Sequence, residues 1–170
     1  MLAHNKNEIW WLWNSIMNWF QWLNAKTNFP NMDWVVWKNT LTHPRRFKSK
    51  NDVLAYKNSH SNIKSFMFYF GANNDNNQQT ISDITKRSEW LQEVWIQPVL
   101  TTCIWENSTK TPWLRDLNQK MIALWRKRNR PVLDFAKSYS KWDISLRSDW
   151  LHPKSYSPMT GIINEQLSLA

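Results

Sequence analysis

Thr111-Pro112-Trp113-Leu114-Arg115-Asp116-Leu117-Asn118-Gln119-Lys120-Met121-Ile122-Ala123-Leu124-Trp125-Arg126-Lys127-Arg128-Asn129-Arg130-Pro131 reads as one helix. Thr111 suits the N-cap, and Pro112 fits the first helical position, where its missing N–H costs nothing. Trp113, Leu114, Leu117, Met121, Leu124 and Trp125 recur at helical spacing and form one apolar face. Asp116 falls in the first turn and Arg126, Lys127 and Arg128 in the last, which complements the helix dipole. Pro131 stops the helix or opens the next element. The apolar face is expected to anchor in a core, and the cationic end to meet something negative.

The rest of the chain sharpens both expectations. Of 170 residues, 14 are Trp and only 2 are Gly, and the formal net charge is +9. So few Gly argue against tight-turned all-β folds and against Gly-rich phosphate loops. Turns built on Asn, Ser and Pro between helices fit better. The positive charge points to a polyanion, nucleic acid before anionic membrane. It is concentrated in two blocks, net +6 over residues 38–64 and net +7 over 110–154, separated by a net −3 stretch over 65–109. Cys103 is the single cysteine, so no disulfide closes within the chain and no cysteine-based zinc site can form. The first residues lack the character of a signal or transit peptide. An organelle-encoded, mitochondrial protein is the expected setting, with the cytoplasm as the alternative. A stop codon read as Trp, as in some mitochondrial codes, would raise the Trp count.

Residues 9–23, Ile-Trp-Trp-Leu-Trp-Asn-Ser-Ile-Met-Asn-Trp-Phe-Gln-Trp-Leu, carry no charge and read as a helix buried in protein or lying at a membrane interface. At ~1.5 Å per residue it is too short to span a bilayer. Thr42-His43-Pro44-Arg45-Arg46-Phe47-Lys48-Ser49-Lys50 is a basic loop with an embedded aromatic ring. Asn51 or Asp52 is read as the cap of a short helix over 53–57. Residues 63–70 form the best strand, with Phe66, Phe68 and Phe70 on one face. Residues 72–79 read as a polar loop, 82–97 as an amphipathic helix, 99–105 as a second strand and 132–142 as another helix. Beyond Asp143 the pattern weakens to a tail dotted with aromatic anchors.

The expected fold is mainly α with a small β element, in the α+β class, ending in an extended, aromatic-anchored C-terminal tail. Three regions are expected: a Trp-rich N-terminal helix and turn over 1–32, a basic α+β core over 33–142, and the tail over 143–170. His4, His43, His60 and His152 show no metal-ligand spacing, Glu89 and Glu93 form a solvated i, i+4 pair, and Cys103 lies in an apolar run. Catalytic residues, metal, cofactor and small-molecule substrate are therefore not expected, and the chain reads as a non-enzyme. The expected function is a structural, RNA-binding subunit of a large ribonucleoprotein, an organellar ribosome first. Arg45, Arg46, Phe47, Lys48, Lys50, Arg126, Lys127, Arg128, Arg130, Lys137 and Lys141 would contact rRNA. Trp10, Trp11, Trp19, Trp22, Trp150 and Tyr156 would contact neighbouring proteins. The alternative is a membrane-associated accessory subunit of a respiratory-type complex, with residues 9–23 in the interface. A DNA-binding protein using the 111–130 helix ranks third, having no helix-turn-helix pair.

Overall fold

Ser65, Phe66, Met67 and Phe68 are all buried, whichever face of the strand they occupy. A strand covered on both faces belongs in a parallel sheet sandwiched by helices, and the computed structural model shows that arrangement. It describes residues 2–3, 9–12, 48–61, 65–69, 75–104, 109, 111–139, 153 and 155–168. The strands are β1 (Leu2–Ala3), β2 (Ile9–Leu12), β3 (Ser65–Phe68), β4 (Gln97–Thr101), β5 (Val132–Leu133) and β6 (Leu167–Ser168). The helices are α1 (Lys50–Ser59), α2 (Asn77–Glu93), α3 (Leu114–Lys127), α4 (Phe135–Ser138) and α5 (Ser157–Gln166).

Four strands form one sheet in the order β2-β3-β4-β5, every pair parallel. Trp10 stands beside Phe66, Phe66 beside Pro98, and Leu100 beside Val132. β1 and β6 make a separate parallel pair. The units β3-α2-β4 and β4-α3-β5 are crossovers of the same hand, so α2 and α3 lie on one face. They pack side by side and in the same direction. At their N-termini the Asn77 amide donates to the Trp113 carbonyl at 3.0 Å and to Asp116 at 2.9 Å. At their C-termini Arg128 meets Glu89 at 3.6 Å. Met159 and Ile163 of α5 are fully buried in the same core.

The fold is therefore α/β with a parallel sheet, and the expected α+β class with an extended tail is corrected. Three local readings failed for physical reasons. Ile9–Leu12 is a strand, because a four-residue apolar run fits a covered parallel strand as well as a helix, and pairing with β3 decides it. The rest of the 9–23 reading lies outside the described residues. Val132-Leu133 is a strand and only Phe135–Ser138 is helical, because β4 offers its open edge to the chain after Pro131. The tail holds helix α5, whose Met159 and Ile163 find a core despite Pro158 and Gly161 nearby.

The helix read over 111–131 is present as α3 but shorter at both ends, with Trp113 rather than Thr111 at its N-cap and Leu117, Met121 and Trp125 buried. Among the described residues Trp125 is the largest fully buried side chain. α1 is capped by Ser49, not Asn51 or Asp52. The Ser49 hydroxyl accepts from the Asp52 N–H at 3.3 Å, and the Asp52 carboxylate accepts from the Ser49 N–H at 3.0 Å. α2 starts at Asn77, five residues before the expected Ser82, because the Asn76 side chain caps it.

Candidate functional site

In a parallel sheet all strands end at one edge, and ligands bind in the crevice outside those carboxyl ends. Here that edge is floored by a fixed set of polar contacts. The Thr101 hydroxyl donates to the Phe68 carbonyl at 2.8 Å, tying the ends of β4 and β3. Next to it the buried Tyr69 hydroxyl accepts from the Ile104 N–H at 3.1 Å. Burial raises the Tyr69 pKa well above its ordinary value, so the phenol stays neutral. The Thr102 hydroxyl donates to Asp134 at 2.9 Å and accepts from the Ala136 N–H at 2.9 Å, joining the ends of β4 and β5. Asn118, reaching up from α3, holds Cys103 on both sides: its oxygen accepts the Cys103 N–H and its amide donates to the Cys103 carbonyl, each at 2.8 Å.

Beyond β5 the Tyr139 hydroxyl donates to the Ser155 carbonyl at 2.9 Å. Burial raises the Tyr139 pKa too. Pro153 and Tyr156 are buried on either side of Ser155. This contact ties residues 153–156 to α4, which begins directly past the carboxyl end of β5. Four segments thus leave the sheet at this edge: from Trp13 after β2, from Phe70 after Tyr69, from Trp105 after Ile104, and the one between Tyr139 and Pro153. They contain Ser15, Gly71, Asn73, Asn74, Asp149 and His152. These six lie outside the described residues, but their attachment points do not. Ser15 is three positions past Leu12, the last residue of β2, in sequence. His152 is bonded to Pro153. His60, in contrast, caps the end of α1 ahead of β3, at the opposite edge.

Lys50, Arg128 and Arg130 of the expected RNA-binding cations fall at that opposite edge, whereas Lys137, in α4, lies past the carboxyl end of β5. Lys50 pairs with Glu93, Arg128 with Glu89, and the Arg130 guanidinium with the Gln92 side chain, all around the last turn of α2. Arg130 and Arg128 also lie 5.3 and 5.9 Å from the Trp125 ring centroid. Burial lowers the Arg130 pKa, and the neighbouring Arg128 adds to the shift. The two basic blocks do meet in space, across the acidic residues that separate them in sequence. Lys48, Arg126, Lys127 and Lys137 are exposed. Arg45, Arg46, Phe47 and Lys141 lie outside the described residues, as do Trp19, Trp22 and Trp150. The backbones of Trp10 and Trp11 lie in β2, and Tyr156 is in the core. Among the described residues no group of three His, Cys, Asp or Glu gathers to hold a metal, and no helix is long and apolar enough to cross a membrane.

No protein-family model matches the chain, and no curated protein does. Solved structures match over nearly its whole length. A GDSL-like lipase from Bacteroides thetaiotaomicron superimposes with a TM-score of 0.66 at 16% identity, covering 94% of this chain and 87% of that one. The chain has the fold of GDSL-type hydrolases. A Bacteroides fragilis protein described as an acylhydrolase gives 0.65 at 18% identity, over 96% and 88% of the two chains. A member of the lipolytic G-D-S-L family from Veillonella parvula gives 0.65 at 13% identity, over 92% and 96%.

These likenesses correct the expectation of a ribosomal or RNA-binding structural protein, the reading as a non-enzyme, and the expected rRNA and assembly partners. Part of the charge that suggested a polyanion is met within the chain, since Lys50, Arg128 and Arg130 pair with Glu93, Glu89 and Gln92. No serine or histidine stood out in the sequence, because each stands alone there without a partner at a recognisable spacing. The letters Gly-Asp-Ser-Leu do not occur in this chain. The residues that follow β2 in sequence are Trp13-Asn14-Ser15-Ile16.

Proposed function

We propose that the chain is a serine hydrolase acting on small carboxylic esters or thioesters. What supports this reading is the fold-wide likeness to structures described as lipases and acylhydrolases, together with a serine three positions after the last residue of β2 in sequence. Ser15 is assigned as nucleophile and His152 as its general base, with Asp149 three residues earlier as the carboxylate that orients the imidazole. Ser15 Oγ adds to the carbonyl carbon while His152 accepts the hydroxyl proton. The C–O or C–S bond then breaks as His152 returns that proton to the leaving group. Water, deprotonated by the same histidine, releases the acid from the ester formed on Ser15. The loop after β3, Phe70-Gly71-Ala72-Asn73-Asn74, carries backbone and side-chain amides of the kind that stabilise the oxyanion.

The test is hydrolysis of p-nitrophenyl esters of graded acyl length, with labelling by a fluorophosphonate. Ser15→Ala is expected to lower kcat/KM by at least about 10³-fold and to abolish labelling. His152→Ala is expected to do the same. A chain that hydrolyses none of the esters, or a Ser15→Ala variant as active as the parent, would falsify the assignment.

A further inference from the structure

α2 and α3 end in the same way. In each, the residue two positions past the helix adopts a left-handed conformation and closes a pair of reversed hydrogen bonds. After α3 that residue is Asn129, with φ 53°: its N–H meets the Arg126 carbonyl at 3.0 Å, and the Arg130 N–H meets the Trp125 carbonyl at 3.0 Å. After α2 it is Trp95, with φ 63°: its N–H meets the Gln92 carbonyl at 3.0 Å, and the Ile96 N–H meets the Leu91 carbonyl at 2.9 Å. The apolar clasp that accompanies this turn is present too, since Leu91 and Ile96 are both buried. Glycine is the default at such a position and asparagine the usual second choice. Tryptophan is neither, and Trp95 leaves its side chain 89% exposed.

Two further observations point the same way. At an average usage of ≈7% a chain of this length would hold ~12 Gly, whereas this one holds 2 Gly and 14 Trp. Under the hydrolase reading, with Ser15 as nucleophile, Trp13 takes the place of the first letter of the tetrapeptide that names the neighbours' family, a glycine. The tryptophans also divide by environment. Trp125 is fully buried among core side chains and flanked by two guanidinium groups, a place only a large ring fills.

We infer that Trp95 and Trp13 stand at glycine positions: both are written by a reassigned stop codon that the chain's own source decodes as glycine, while Trp125 has the ordinary tryptophan codon. The Trp95 part is independent of the hydrolase reading. The Trp13 part rests on it, and would place a residue without a side chain two positions before the proposed nucleophile.

Peptide mass spectrometry of the protein from its source tests this directly. Glycine at positions 95 and 13 with tryptophan at 125 is expected. Tryptophan at 95 overturns the inference, as does a gene with the same codon at 95 and 125. Glycine at 95 with tryptophan at 13 overturns the second part alone. In recombinant protein, Trp95→Gly is expected to raise the folded-to-unfolded ratio about 5- to 30-fold, the left-handed penalty of a side chain removed. Trp95→Asn should recover part of that gain, and Trp125→Gly should unfold the chain. No gain from Trp95→Gly would sink the claim that the position wants glycine. None of these readouts depends on esterase activity.

Discussion

Asn118 shows what one buried amide contributes to the edge where the site is proposed. It pairs with both backbone groups of Cys103. Asn118→Leu orphans a donor and an acceptor in the core, at roughly 1–3 kcal/mol each. Urea melts should show the midpoint fall with the slope unchanged. Tyr69 and Tyr139 make a second prediction. Both phenols titrate higher in the folded chain than in the unfolded one, so the native state binds more protons at alkaline pH. Their contribution is intact below the unfolded pKa near 10 and is lost as pH climbs through the folded values. Above pH 10 stability should fall by about 1.4 kcal/mol per pH unit for each tyrosine. Replacing Tyr139 with Phe should make that fall shallower, measured by denaturant titration across pH 9–11. None of this was legible from the residues alone: Asn118 and Cys103 are 15 positions apart, and Tyr69 reaches 35 positions to Ile104.

Whether an element could be read depended on how much of its pattern lay within its own length. α3 was readable because six apolar residues recur over four turns and its charges agree with its dipole. β3 was readable because aromatic and β-branched-like bulk runs unbroken to Gly71. β2 and β5 were not, since runs of four and two residues have no period of their own and become strands only by lying beside β3 and β4. α1 was found but its cap misplaced, which makes its capping box a test. Ser49→Ala should cost about 1 kcal/mol, and Asp52→Ala a comparable amount through the reciprocal bond. The double variant should cost less than the sum, since each partner supports the other. Lys50→Ala, by contrast, breaks an exposed pair with Glu93 and should change stability by less than about 1 kcal/mol, less still in high salt.

Across the whole molecule, charge was the misleading guide and topology the informative one. A net +9 chain suggested a polyanion, yet the described cations near α2 meet its last turn. The last segment, which reads as a tail, is structural. A chain ending at Lys154 would lose Tyr156, Met159 and Ile163 from the core. At ~1.5–3 kcal/mol each, their burial rivals the net stability of a domain. That truncation should show no cooperative thermal transition by circular dichroism. One consequence of the strand order concerns time. Because β2, β3, β4 and β5 lie side by side in the order they are made, each new strand can dock on the one synthesised just before it. Among the described strands the nascent sheet grows from one advancing margin, and none of them has to be inserted between two already paired. Among the described strands, β1 is the one whose partner, β6, is made last, Leu2 pairing with Leu167, so that pair closes after the four-stranded sheet has formed.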